Sequence, residues 1–190
     1  MQAMTHVQPD ERPASPGSGS GRWVELSPKV LDAQTDYTLG TYGDVFIVIW
    51  RQDTTLSGVA ELGRCFDRFA AGMPQGVGLL TVIEPAASLP SSSAREALAA
   101  FMRDNGNRIR TSAVVFEGSG FRAAAVRSVV VGLTMLANQP FPHRVFSTVE
   151  RTRDWFLEKL GDERQVRSAS GLGGAVETIR GAAAAAAVTQ

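Results

Sequence analysis

The chain has one cysteine, two histidines and no net charge in 190 residues. Each shortage closes a class of function. A lone Cys65 cannot form an internal disulfide, and the lack of a disulfide framework suits a reducing compartment. His6 lies in a Pro/Ser/Gly-rich arm, and His143 heads a short apolar run far from Cys65, so neither a zinc site nor a Cys–His nucleophile is supported. With 19 Lys+Arg against 19 Asp+Glu, and the basic residues scattered, the composition offers neither a nucleic-acid groove nor a polybasic membrane patch. No apolar run approaches the ~20 residues of a membrane span, and no signal-type run opens the chain. The expected location is the cytoplasm. There is no Walker lysine, no third glycine after Gly118-Ser119-Gly120 and no nucleophile elbow, so no cofactor and no catalytic residue is assigned.

What is present is an alternation of apolar runs and amphipathic stretches, clearest between Arg110 and Ala137. Ala113-Val114-Val115-Phe116 has the length and branching of a buried strand. A turn with two glycines, Glu117-Gly118-Ser119-Gly120, leads into a helical spacing that places Ala125, Val129, Gly132 and Leu136 on one stripe. A strand feeding a helix through such a turn is half of a βαβ unit.

Along the chain, residues 1–22 are too poor in apolar side chains to offset the entropy of ordering and read as a disordered arm. Order is expected from Trp23-Val24-Glu25-Leu26. Two strands follow, around Asp36 to Tyr42 and Val45 to Trp50, joined at Gly43-Asp44. Asp53-Thr54-Thr55 can cap a helix from about Leu56 to Ala71 that buries Val59, Leu62, Phe66 and Phe69. Gly78 to Ile83 is a further buried strand. Ser93-Ala94-Arg95-Glu96 is a capping box opening a helix that carries Ala97, Leu98, Phe101 and Met102. His143 to Ser147 is a short strand, and Thr148 is placed as the cap of a last helix ending at Gly161. From Asp162 the periodicity fades, and residues 162–190 read as a flexible Ala/Gly-rich tail. The expected architecture is α/β: one domain over residues 23–161, with a four- to five-stranded mixed, mainly parallel sheet, an N-terminal β-hairpin and about four helices.

In this order of elements the chain resembles the STAS, or anti-anti-sigma-factor-like (SpoIIAA-like), family from about Tyr37 to Leu160. The likeness includes the closing strand Val145-Phe146-Ser147-Thr148-Val149-Glu150 and the aromatic pair in Asp154-Trp155-Phe156-Leu157. The resemblance implies a regulatory domain that recognises a protein partner. It also implies a phosphorylatable serine at a helix start, where this chain has Pro90-Ser91-Ser92-Ser93-Ala94. Ser92 is then the nearest match to the phospho-acceptor, with Ser93 beside it. Ser91 stands where the family has aspartate, and Ala94 where it has glycine.

Parallel strands aim their carboxyl ends at one crevice, the usual ligand edge of such sheets. That edge is expected to collect Asp53, Glu84, Ser92, Glu117 and Ser119. The residues leave three functions open. The first is a non-catalytic regulatory or protein-interaction domain. The second is a module for a small apolar ligand or lipid, drawing on Phe66, Phe69, Phe101, Phe121, Phe141 and Phe146. The third is an enzyme using the Glu84 and Glu117 carboxylates.

Overall fold

A computed structural model describes residues 26–137, 139–161 and 169–187; the N-terminal arm and Trp23 to Glu25 lie outside them. The fold is α/β. Its single sheet has six strands in chain order: β1 (Lys29–Ala33), β2 (Tyr37–Tyr42), β3 (Val45–Trp50), β4 (Val77–Ile83), β5 (Ile109–Phe116) and β6 (His143–Phe146). β1, β2 and β3 form an antiparallel meander, and β3 to β6 run parallel. Among the described residues five helices complete it: α1 (Leu56–Ala71), α2 (Ser92–Asp104), α3 (Gly120–Ala137), α4 (Thr152–Leu160) and α5 (Ala169–Ala187).

The topology decides which face each helix covers. The crossovers through α1, α2 and α3 each step to the next strand in the same direction. Crossovers of one hand then lay all three helices on the same face. On this front face Tyr37, Leu39, Phe46, Val48, Trp50 and Leu79 pack beneath Leu62, Phe66, Leu98 and Phe101. The crossovers leave the back face bare, although Val45, Ile47, Ile49, Leu80, Val82, Ala113 and Val115 all point into it. α4 and α5 cover it with Phe156, Leu160, Leu172, Ala175, Val176 and Ile179.

Four expectations need correction. The sheet has six strands, because Lys29–Ala33, on the far side of Pro28 from the expected start of order, adds an edge strand to the hairpin. The C-terminal segment contributes a fifth helix, and the domain runs through α5: Leu172, Ala175, Val176 and Ile179 are each at most 2% exposed. The sheet makes room for it at Gly40, where a Cβ would lie 2.6 Å from the Ile179 Cδ1. The buried stripe of α3 is Ala123, Val126, Val130, Leu133 and Ala137, a phase shifted from the one expected. Thr148 caps no helix, since α4 begins at Thr152, whose Oγ1 donates to the Val149 carbonyl at 2.7 Å.

Elsewhere the local chemistry follows the sequence. Thr55 Oγ1 accepts from the Gly58 amide at 3.1 Å and caps α1. Gly43 takes φ of 59° between β2 and β3, and Gly120 takes 65° where β5 hands over to α3. Among the described residues no helix is long and apolar enough to cross a membrane.

Candidate functional site

Two of the five residues expected at the carboxyl edge come together there. Glu84 follows β4 and Glu117 follows β5, and both close on Arg180 of α5. Arg180 Nη2 donates to both Glu117 oxygens at 2.9 Å. Its Nε lies 3.1 Å from Glu84 Oε1, an ion-pair approach too oblique for a hydrogen bond. Nη1 reaches Glu177 at 3.0 Å. Arg51, immediately after β3, completes the cluster: its Nη2 donates to the Arg180 carbonyl at 2.8 Å, its Nη1 to Thr38 Oγ1 at 2.6 Å, and its Nε lies 3.9 Å from Glu84.

These groups are half-shielded from water. Burial works against charge on Arg180, but the Glu117 hydrogen bonds, with Glu177 and Glu84, outweigh it and raise its pKa. Burial is the leading influence on Arg51 and lowers its pKa, with Glu84 opposing. The arrangement is an ion-pair clasp that fastens α5 to the ends of three strands. Acid/base chemistry by the two carboxylates would require breaking it.

The other expected edge residues stay apart. Asp53, Ser119 and Ser92 are exposed, and among the described residues no hydrogen bond or ion pair joins them to the clasp. α2 begins at Ser92, and the capping oxygen is that of Ser91, which accepts from the Ala94 amide at 3.2 Å. The Ser93–Glu96 capping box is therefore not formed. Ser93 Oγ lies 3.0 Å from Ser91 Oγ, leaving Ser92 in the first turn with an exposed hydroxyl. Cys65 is buried, and burial pushes its thiol pKa up, as expected of a structural rather than a reactive thiol.

Two features escaped the sequence reading. One is a cavity of about 60 Å³ on the front face, between β3 to β5 and helices α2 and α3. Its walls are mainly apolar, including Leu79, Val114, Leu98, Val126 and Val130, with Thr54, Thr81 and Ser88 among them, and no charged side chain of the described residues lines it. Leu89 and Pro90, from the loop before α2, border it, and Leu89 is 49% exposed. His143 and Gln139 also line it. The Pro142-His143 step at the head of a strand was visible in the sequence, but its hydrogen-bond partner Ser112 was not. Of the aromatic residues proposed for ligand contact, only Phe101 lines the cavity. Phe66 and Phe141 are core, and Phe121 faces outward.

The second feature is the outer side of α3. Phe121 is 88% exposed, Met135 77% and Val131 52%, and with exposed Ala124 and Ser128 they form a single stripe at alternating spacings of three and four. The apolar spacing was legible, but which side the sheet would take was not. No family model matches the chain, and no curated protein matches it.

Proposed function

We propose that the chain is a non-catalytic regulatory domain of STAS-like type that recognises a protein partner, and that the outer side of α3 is the surface it presents. The carrying observation is the stripe Phe121, Ala124, Ser128, Val131 and Met135. Single exposed apolar residues are ordinary on a protein surface, whereas a run of them along ~20 Å of one helix marks an interaction face. The spacing suits a partner offering an apolar helix or groove. The β-hairpin followed by alternating strands and helices supports the STAS-like reading. The clasped state of Glu84 and Glu117 leaves the enzymatic reading without an available acid or base.

Ser92 fits this reading as a control point. A phosphate there would place negative charge at the positive end of α2, without displacing the Ser91 cap.

A photo-crosslinking side chain placed at Phe121 or Met135 in the native cell should trap one defined protein, and the same group at Glu96 should not. An adduct of twice the chain mass would identify the partner as a second copy. Phe121→Asp with Met135→Asp should abolish the adduct formed from Val131 while changing stability by no more than about 0.5 kcal/mol. Equal trapping from both faces would overturn the assignment. Absence of phosphate on Ser92 by intact mass, with Ser92→Asp leaving trapping unchanged, would remove the switch.

A further inference from the structure

The cavity beneath α2 and α3 carries a second, independent reading. Apolar cavities of native folds are small and few, because each lost contact costs packing energy. This one is lined mainly by aliphatic and aromatic side chains, with Thr54, Thr81 and Ser88 among them, and two further lining residues each carry a buried polar atom that has no partner among the described residues. His143 Nε2 and Gln139 Oε1 are both buried and make no hydrogen bond among the described residues. Leaving such atoms unpaired is costly, so their pairing is to be sought beyond the described residues.

Their chemistry can be worked out. His143 Nδ1 lies 3.1 Å from Ser112 Oγ, a hydroxyl on a fully buried residue of the neighbouring strand. Among the described residues that hydroxyl has no other hydrogen-bond partner, side chain or backbone, so its proton has an acceptor there only if it donates to Nδ1. Nε2 then carries the imidazole proton and is a donor. Gln139 Nε2 donates to Met102 Sδ at 2.6 Å, which leaves its Oε1 as the acceptor. Burial lowers the His143 pKa, so the ring is neutral at pH 7. His143 and Gln139 thus bring one donor and one acceptor to the lining of a mainly apolar chamber, which has no charged side chain among the described residues.

We propose that this cavity is a binding site for a small neutral amphipathic molecule. Its apolar body lies against Val126, Val130 and Leu98, and its head group, a hydroxyl or primary amide, accepts from His143 Nε2 and donates to Gln139 Oε1. Leu89 and Pro90 form its entrance. A carboxylate is disfavoured, because it offers Gln139 no proton and meets no cation to offset its desolvation. Space of about 60 Å³ corresponds to roughly four to six water-sized groups, so the body is a short chain or a small ring.

The test uses the full chain at pH 7 and three probes of similar length: 1-hexanol, methyl pentyl ether and hexanoate. Methyl NMR shifts of Val126 and Val130 report occupancy. Hexanol should bind saturably. The ether can accept but not donate, and should bind about tenfold more weakly, as should hexanoate. Gln139→Leu should bring hexanol down to the ether's affinity while leaving the ether unchanged. Val129→Phe, which fills the chamber, should remove all binding. His143→Phe is a second head-group variant should Gln139→Leu disturb the fold. No saturable shift with hexanol up to its solubility limit would mean that the polar atoms serve only water, and would overturn the proposal. Equal affinity for alcohol and ether would overturn the assigned head group. Neither result bears on the α3 surface, whose trapping experiment is separate.

Discussion

The two faces of the sheet are covered by different means. On the front, each helix is the connection between two parallel strands, so the cover follows from the strand order. On the back, the cover comes from chain beyond the last strand. α4 follows directly after β6 and lies over β5, whereas α5 reaches back across to β1 and β2. The front retains an apolar chamber with unpaired polar atoms. The back is filled by Phe156, Leu160, Leu172, Val176 and Ile179 and is pinned at its rim by the Arg180 clasp. Cover that the topology imposes can remain loosely packed, because it cannot detach. Cover supplied by a terminal helix has to be held, by close packing and by charge.

The most direct way to break this contrast is to remove α5. Ending the chain at Gly161 uncovers Tyr42, Val45, Ile47 and Ile49, and deletes the buried Leu172, Val176 and Ile179. Full burial of each large aliphatic side chain contributes about 1.5–3 kcal/mol. The loss is on the order of the whole stability of a domain, about 5–15 kcal/mol. The truncated chain should show no cooperative urea transition by circular dichroism. A sharp transition at an unshifted midpoint would mean that α5 is an accessory, and that the back face does not depend on it.

The sequence revealed the front of the molecule better than the back, for physical reasons. Val45 to Trp50 is apolar at every position because it is buried on both faces, and Thr55, Gly43 and Gly120 carry their turn or cap chemistry in the residue type itself. α5 was missed because its mean composition is alanine and glycine. Its signal is only the spacing of Leu172, Ala175, Val176 and Ile179 at i, i+3, i+4 and i+7. The both-sided apolar character of β3 already demanded a second layer, and that demand was the stronger clue. For the site, Glu84 and Glu117 were correctly placed at the strand ends. Their partner Arg180 lay 63 residues beyond Glu117, in a segment with no apparent fold. The cavity was not legible at all, since an unfilled volume is a property of packing and has no residue type of its own.

A smaller effect separates the clasp from the packing beneath it. Arg180→Ala leaves Glu117 without its bidentate partner and Glu84 with only the distant Arg51. The groups are partly shielded, with side-chain exposures of 19–26% for Arg180, Glu84 and Glu117. The cost should therefore fall between that of a surface pair and a buried one, at about 1–2 kcal/mol. A double-mutant cycle with Glu117→Gln should show coupling, and Arg180→Lys should recover only part of it, because an ammonium cannot make the paired hydrogen bonds. A cost as large as that of deleting α5 would place the hold on the back face in the clasp and not in Ile179 and its neighbours.

The front face should have the smallest signature, and it should be one of pH. Burial holds the His143 pKa below its ordinary 6.5, so the unfolded chain takes up a proton near pH 6.5 while the folded chain does not. The neutral ring therefore favours folding fully above pH 6.5, and that contribution is lost as pH falls through the lowered folded-state value. Over pH 6.5 to 5.5, above the range where carboxylates titrate, stability should decline with a slope of no more than about 1.4 kcal/mol per pH unit for one proton. His143→Gln should flatten that slope, and Arg180→Ala, which leaves the imidazole in place, should not. 1-Hexanol would pair with an Nε2–H that the neutral and the protonated ring both carry, so filling the chamber should not by itself steepen the decline. A slope unchanged by His143→Gln would mean that the imidazole is as accessible to protons in the folded chain as in the unfolded one. The front face would then have no enclosed polar end to set against the sealed back.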